Sequence, residues 1–250
     1  MMIKKVLFIC MALLLVVGCA SKDIDYSTKN GEEIYNEALK KALDGDYKPA
    51  AQMFDEVERQ HPYSALAPKS QVMAAYMQYQ MNKYTDAVMT LDRFLQLHPG
   101  NTYAPYAMYL KGICFYEQIS DVERDQGMTE NALQTFERLI LMYPDSPYAE
   151  DAKGKIRLTY NNLAGREMEI GRYYQKNRRY AAALNRFSEV VRTYPTTMHI
   201  QEALYRLVET YLALGLKDEA KRSASVLGHN YPSSKWYQKA YDLLTENGVK

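Results

Sequence analysis

The sequence predicts an all-α protein built as an α-solenoid of five stacked helical hairpins. Five prolines recur along the chain, each after a ring-bearing residue, in the pairs His61-Pro62, His98-Pro99, Tyr143-Pro144, Tyr194-Pro195 and Tyr231-Pro232. An alanine stands twelve residues before every one of these prolines, at Ala50, Ala87, Ala132, Ala183 and Ala220. Self-similarity of this kind is the sequence signature of a repeat architecture.

The second helix of each predicted hairpin has an apolar face that ends at the proline. Apolar residues stand eight and five residues before each proline, as Phe54 and Val57 do in the first unit. Together with the alanine they occupy positions i, i+4 and i+7, which form one side of an α-helix. The proline marks the end of the helix, because the residue before a proline is pushed out of the helical region.

The first helix of each hairpin is recognised by a small residue and by the turn that follows it. Small residues stand 24 positions before the proline in most units, with one unit aligned across an insertion, at Ala38, Ala75, Gly112 and Gly171. Seventeen positions before the proline come Gly45, Asn82, Gly127, Arg178 and Gly215, mostly residues that tolerate the left-handed conformation at a helix end. These offsets resemble the tetratricopeptide repeat.

Two intervals between the prolines are longer than the others and divide the chain. A polar insertion, Ser120 to Gln126, lengthens the third unit, and a stretch between Tyr148 and Asn177 predicts one long helix before the fourth. We therefore expect repeats 1–3 in residues 32–146, the long connecting helix with repeats 4–5 in residues 147–246, and a tail in residues 247–250.

The amino terminus predicts export and anchoring. Lys4 and Lys5 precede an apolar run that is too short to span a bilayer and ends at Gly18 and Cys19. Residues 1–18 are thus expected to be a signal peptide, and the polar residues 19–31 a flexible tether. Val16-Val17-Gly18-Cys19 resembles a bacterial lipobox, which implies a covalent lipid on Cys19. An ordinary signal peptide with an incidental cysteine is the alternative.

The rest of the sequence offers no pattern typical of catalysis. Without the signal peptide the net charge is −1, which indicates no nucleic-acid partner. Cys114 is the one thiol left after signal removal and lipidation, and it lies in an apolar helical stretch typical of a buried residue. The four histidines show no metal-ligand spacing, and no phosphate loop or nucleophile elbow occurs. We therefore expect that the protein is not an enzyme, and that it binds no metal and no cofactor apart from the covalent lipid.

Stacked hairpins form a concave groove lined by their first helices, and such arrays bind extended segments of other proteins there. The tetratricopeptide pattern places five tyrosines of repeats 1–3 on this surface, namely Tyr35, Tyr76, Tyr79, Tyr109 and Tyr116. Tyrosine combines a wide apolar ring with a hydroxyl and suits peptide recognition. Packing between helices is the alternative role for rings at this spacing.

The order of these features resembles the BamD family, the lipoprotein subunits of the outer membrane β-barrel assembly machinery. The similarity extends over nearly the whole mature chain and rests on the lipobox, the repeats, the insertion with Arg124-Asp125, and segments such as Tyr143 to Tyr148 and Tyr194 to Thr197. It implies a non-catalytic scaffold that helps to recognise unfolded outer membrane proteins. Similarity to sorted lipoproteins implies the periplasmic face of the outer membrane.

The same resemblance implies partners. The family's carboxyl-terminal repeats dock on a periplasmic domain of BamA, the barrel subunit, and the matching positions here include Asn185 and Arg186. Other lipoproteins of the machinery are implied as well. From the residues alone, Arg186 is equally well explained as a solvated helix residue or as the partner of a nearby carboxylate. A periplasmic repeat lipoprotein that acts as an adaptor for peptidoglycan enzymes is the competing function.

Overall fold

The computed structural model describes Tyr26, residues 28–121 and residues 124–249. Over these residues the chain forms eleven α-helices and no strand, which confirms the all-α prediction. The helices are α1 (Gly31–Leu43), α2 (Tyr47–Gln60), α3 (Ala67–Gln80), α4 (Tyr84–Leu97), α5 (Ala104–Tyr116), α6 (Gly127–Met142), α7 (Pro147–Lys176), α8 (Tyr180–Thr193), α9 (Ile200–Ala213), α10 (Lys217–Asn230) and α11 (Lys235–Glu246).

Successive helices pack as five hairpins, each stacked on the next. The pairs are α1 with α2, α3 with α4, α5 with α6, the later part of α7 with α8, and α9 with α10. Helix α11 packs on both helices of the fifth hairpin and closes the stack. A terminal helix of this kind covers the apolar face that the last repeat would otherwise expose. The predicted solenoid of five hairpins is therefore confirmed. The repeat pattern in the sequence does not identify α11 as a separate helix after the fifth hairpin.

The predicted apolar face of each second helix is the core of its hairpin. All five alanines at the twelfth position before the proline are completely buried. The residues five positions before the proline are completely buried as well, and those at the eighth position include the fully buried Phe54, Phe136 and Phe187. Burial of one such side chain stabilises the fold by about 1.5–3 kcal/mol. The same burial in five consecutive units explains the regular spacing in the sequence.

The ring residue before each proline ends the second helix in one recurring conformation. His61, His98, Tyr143, Tyr194 and Tyr231 have φ between −137° and −123° and ψ between 46° and 58°. Two of these side chains also reach a backbone carbonyl oxygen outside their own helix. The hydroxyl of Tyr143 donates to the carbonyl oxygen of Pro99 at 2.9 Å, and Nε2 of His61 lies 3.0 Å from the carbonyl oxygen of Lys29. The ring position is therefore structural, as the repeat predicts.

The turn inside each hairpin follows the prediction in four units out of five. Positive φ values of 57° to 81° occur at Asn82, Arg178, Gly215 and Gly45. The prediction is wrong for Gly127, which is the first residue of α6 and is not one of the residues with a positive φ. The insertion is the reason. It separates α5 from α6 by a longer connection, so that no tight left-handed turn is needed there.

Helix α7 joins the two parts of the stack. It runs without interruption for 30 residues, which corresponds to about 45 Å. Ser146 accepts a hydrogen bond from the backbone N–H of Tyr148, and Pro147 follows it as the first helical residue. The helix packs on α6 on one side and on α8 on the other. The long helix predicted between repeats 3 and 4 is therefore present.

The export and anchor predictions concern residues that the structure does not describe. The signal peptide, Cys19 and the tether up to Asp25 lie outside the described residues. Within the described part of the chain, the helices lack the combination of length and apolarity needed to cross a membrane.

Candidate peptide-binding face

The first helix of each of the first three hairpins contacts the first helix of the next hairpin. Helix α1 contacts α3, α3 contacts α5, and α5 contacts α7, so that they form one continuous side of the stack. In stacked hairpins this is the concave side, which binds extended segments. The predicted tyrosines belong to α1, α3 and α5.

Four of the five predicted tyrosines come together on this side. Tyr76 and Tyr79 stack with their ring centroids 6.3 Å apart. Tyr79, Tyr109 and Tyr116 all pack, half-buried, against the core cluster of the third hairpin. Aromatic rings at such distances attract one another and hold their orientation. The result is a pre-ordered aromatic surface rather than a set of mobile side chains.

The fifth tyrosine differs from the others because it belongs to the core. Tyr35 is only 6% exposed and packs edge-on against Phe54 with the centroids 5.4 Å apart. The ammonium group of Lys69 lies 5.1 Å from the centroid of the Tyr35 ring. Tyr35 therefore contributes to the first hairpin mainly through packing, which is the alternative role that its spacing allows.

Two tyrosines that the repeat pattern does not single out complete the surface. Tyr148 at the start of α7 stacks on Tyr109 at 5.2 Å and contacts Tyr106 at 5.3 Å. Tyr106 precedes Tyr109 by three residues, the same spacing as Tyr76 and Tyr79, and this spacing could have revealed it. We call the six residues Tyr76, Tyr79, Tyr106, Tyr109, Tyr116 and Tyr148 the tyrosine face.

Four hydroxyl groups of the tyrosine face, those of Tyr79, Tyr106, Tyr109 and Tyr116, have a raised pKa. Burial raises the pKa of Tyr106 and Tyr109 well above the ordinary value, and the hydrogen bond from Tyr109 to Asp151, at 2.6 Å, adds to the effect for Tyr109. Burial also raises the pKa of Tyr79 and Tyr116. At neutral pH these side chains therefore present uncharged rings and hydroxyl donors, which is suitable for apolar and aromatic peptide side chains.

The first helices of the carboxyl-terminal hairpins carry a different chemistry. Arg172 on α7 pairs with Glu202 on α9 at 3.0 Å, and Glu202 also pairs with Arg206 at 3.2 Å. Arg206 reaches Glu209 at 2.8 Å. These charges satisfy one another within the chain, because each carboxylate has a guanidinium partner. The aromatic surface is thus a property of repeats 2 and 3 and the start of α7.

The two residues predicted to meet a partner lie on α8, beside a pocket of about 490 Å³. Asn185 is exposed, and the guanidinium of Arg186 lies 3.1 Å from a carboxylate oxygen of Glu167 on α7. The Arg186 side chain is 42% exposed and that of Glu167 only 17%. Arg186 therefore has the intramolecular partner that the sequence leaves open, and its guanidinium remains accessible from the pocket.

Among the described residues nothing forms a catalytic or metal centre. No group of three or more histidine, cysteine, aspartate or glutamate side chains is placed to hold a metal ion in that part of the chain. The Cys114 thiol is completely buried, and burial raises its pKa to about 12. A thiol in this state is a packing residue rather than a nucleophile.

Comparison with known proteins gives one consistent result. The family model described as "YfiO: Outer membrane lipoprotein" matches residues 27–227. The chain is 46% identical to outer membrane protein assembly factor BamD of Caulobacter vibrioides over 239 residues, or 94% of this chain and 78% of that one. It is 45% identical to the BamD protein of Rickettsia prowazekii over 92% of both chains.

Among solved structures, a tetratricopeptide repeat protein from Parabacteroides merdae is 18% identical and covers 87% of this chain and 73% of that one, with a TM-score of 0.39. The family model and the two relatives span nearly all the described helices, from the first hairpin to the fifth. The chain therefore belongs to the YfiO family of outer membrane lipoproteins, which includes the BamD assembly factors.

Proposed function

We propose that this protein is a non-catalytic scaffold of the outer membrane β-barrel assembly machinery. In this role it binds the barrel subunit BamA and other lipoproteins of the machinery and helps to recognise unfolded outer membrane proteins. The main support is its 46% identity to a BamD assembly factor over most of the chain. The helical stack supplies separate surfaces for several partners, as a scaffold requires.

The tyrosine face is the proposed site for unfolded outer membrane proteins. Its neutral, pre-ordered rings suit an extended peptide that ends in an aromatic residue. The test measures the affinity of a synthetic ten-residue peptide with a carboxyl-terminal phenylalanine by fluorescence anisotropy. We expect Tyr76→Ala combined with Tyr79→Ala to weaken binding about tenfold, since truncation of two aromatic contacts removes their buried area and ring contacts.

The matched control removes two tyrosines elsewhere. Tyr63 and Tyr241 are 101% and 57% exposed and lie outside the tyrosine face. Tyr63→Ala combined with Tyr241→Ala should leave the affinity unchanged, and circular dichroism should show equal helicity for both double variants. If the two double variants bind the peptide equally well, the tyrosine face is not the site.

Arg186 is the proposed contact to the barrel subunit. Loss of Arg186 would also leave the half-buried Glu167 unpaired, so a single substitution mixes folding with binding. The exchange Arg186→Glu with Glu167→Arg restores the internal pair with opposite polarity. We expect this exchange to keep the melting temperature and to lose the barrel subunit in affinity purification, because the partner would meet a carboxylate at position 186.

The control for this exchange lies on the same helix. Arg192 pairs with Glu189 and is 75% exposed, and Arg192→Glu should leave recovery of the barrel subunit unchanged. Normal recovery with the exchanged pair would show that Arg186 serves the fold alone.

The proposed anchor is the lipid on Cys19, which would hold the protein on the periplasmic face of the outer membrane. Two or three acyl chains bind a membrane stably without a transmembrane helix. Cys19→Ala should leave an unprocessed precursor that incorporates no radiolabelled palmitate. Labelling equal to that of the unmodified protein would contradict the lipid assignment.

A further inference from the structure

Two clefts between successive hairpins occupy equivalent positions in the stack and have opposite chemistry. The first cleft lies between α2 and the second hairpin, and the second cleft lies between α4 and the third hairpin. Both are formed largely by second helices, whereas the tyrosine face is formed by first helices and the start of α7. The repeat allows the two clefts to be compared residue by residue.

The arginine and the threonine of the first cleft have hydrogen-bond partners on neighbouring helices. Glu58 on α2 accepts a hydrogen bond from the guanidinium of Arg93 on α4 at 2.7 Å, and it also accepts one from the amide of Gln71 on α3. The hydroxyl of Thr90 donates to the side-chain oxygen of Gln78 at 2.9 Å. Hydrogen bonds to charged groups are the strong ones in a protein. These contacts fasten the first two hairpins together.

The second cleft keeps the arginine and the threonine. Arg138 stands six residues before Pro144, as Arg93 stands six before Pro99, and Thr135 and Thr90 both stand nine before these prolines.

The partners of the first cleft are absent from the second. Glu58, Gln71 and Gln78 correspond in the next repeat to Leu95, Met108 and Phe115, each 37 residues further along. The three residues that provide hydrogen-bond partners in the first cleft are therefore replaced by apolar residues in the second.

Arg138 is consequently left without a carboxylate. Among the described residues no carboxylate oxygen lies within 4.0 Å of its guanidinium, and its Nε instead donates to the sulfur of Met142 at 3.4 Å. Thr135 turns back to the carbonyl oxygen of Asn131 in its own helix. The other cation in the cleft, Lys111, is paired with Asp92 at 2.5 Å. Of the charged residues that line this cleft, Arg138 is thus the one without an ion-pair partner among the described residues.

The second cleft also contains open space. A pocket of about 470 Å³ is lined by the three apolar replacements, with Arg138 among its polar lining residues. This volume falls within the range of about 300–1,000 Å³ that is typical of ligand sites. The side-chain amides of Gln96 and Gln134 also line the pocket, and neither makes a hydrogen bond within the described residues. Such amides can both donate to and accept from a peptide backbone.

We propose that the second cleft binds an extended segment of a partner protein, in which an apolar side chain enters the pocket and an adjacent carboxylate pairs with Arg138. The carboxylate takes the place that Glu58 fills within the first cleft. The side-chain amides of Gln96 and Gln134 favour a peptide over a small acid, because a peptide backbone offers hydrogen-bond partners to both. This surface is separate from the tyrosine face and goes beyond the function proposed above.

The test starts from a phage-displayed library of random ten-residue peptides. It is selected on the detergent-solubilised full-length lipoprotein carrying Tyr76→Ala and Tyr79→Ala, so that peptides held by the tyrosine face are not enriched. We expect sequences with aspartate or glutamate next to a large apolar residue. Selection of no peptide, or of peptides without an acidic residue, would overturn the proposal.

Two substitutions then test the site from opposite directions, with the selected peptide measured by fluorescence anisotropy. Arg138→Gln removes the cation and should weaken binding about tenfold, the usual effect of losing one charged hydrogen bond. Leu95→Glu introduces the counterpart of Glu58, which should pair with Arg138 inside the chain and weaken binding at least as much.

The control is Arg93→Gln, the matching arginine of the first cleft, which should leave the affinity within about twofold of the starting protein. Melting curves establish that each variant is folded. Equal affinity for the starting protein, the Arg138 variant and the Leu95 variant would refute the cleft as a site, whatever the outcome of the tyrosine substitutions.

Discussion

Gly171 provides a sharp test of how the hairpins pack. A Cβ atom at this position would lie 2.4 Å from Cε1 and 2.8 Å from Cδ1 of Phe187, the phenylalanine on the partner helix of the same hairpin. The Phe187 ring is completely buried, and close-packed protein interiors leave little space for such a ring to move. The first helix can therefore approach the second only because residue 171 has no side chain.

The expected cost follows from two opposing effects. Gly171→Ala gains about 1 kcal/mol of helix propensity, and it pays about 1–3 kcal/mol for overpacking a filled core. Gly154 is the matched control, because it lies in the same helix and a Cβ atom there would meet nothing within 4 Å. Gly154→Ala should therefore gain the propensity alone. The free energies of unfolding of the two variants should differ by about 1–3 kcal/mol, which is the packing cost.

The assay is urea unfolding followed by circular dichroism at 222 nm. Combining Gly171→Ala with Phe187→Leu should recover part of the loss, since the second hairpin accommodates a buried alanine, Ala75, beside a buried leucine, Leu91. A positive coupling between the two substitutions would identify the ring as the source of the clash. If Gly171→Ala is as stable as Gly154→Ala, the two helices do not approach each other as closely as the structure indicates.

Three further predictions concern stability and reactivity. Arg178→Gly should raise the free energy of unfolding by about 1 kcal/mol in urea titrations. Arg178 has a φ of 58°, a left-handed conformation that is unfavourable for a residue with a side chain, and glycines occupy the equivalent positions 45 and 215 in other hairpins. Burial raises the pKa of Asp55 to about 6, so the folded chain holds this proton more tightly than the unfolded chain does. Stability should then fall as the pH rises from about 4 through 6, and Asp55→Asn should remove that fall in urea titrations at several pH values. Iodoacetamide at about pH 8 should alkylate Cys114 only after unfolding, because the thiol is buried, and alkylation of the native protein at the rate of a free thiol, measured by peptide mass mapping, would contradict the packing.

The repeat explains why so much of the fold can be predicted from the sequence. Ala50 and its four equivalents are buried in every hairpin because each second helix packs in the same way, so one physical constraint appears five times in the sequence. Gly127 shows where the reasoning fails. Its position in the repeat is correct, yet the insertion before it removes the tight turn, and a glycine alone does not show which conformation it adopts.

The candidate sites were less accessible to sequence reasoning, because a side chain's exposure depends on several helices at once. Tyr35 and Tyr109 have comparable positions in the pattern, three residues before Ala38 and Gly112, but Tyr35 is enclosed beside Phe54, whereas Tyr109 is half-buried. Tyr148 joins the tyrosine face from the next helix, which spacing within one repeat does not reveal. The absent partner of Arg138 becomes visible only when the contacts of one cleft are compared with those of the other.

The most direct test of the proposed function is depletion of this protein in its native cell, followed by pulse labelling of a newly made outer membrane β-barrel. The folded fraction is measured by its heat-modifiable mobility in gels. We predict that the folded fraction falls and that unfolded barrel protein accumulates in the periplasm. Normal barrel folding, together with altered peptidoglycan cross-linking, would contradict the assembly function and favour the adaptor.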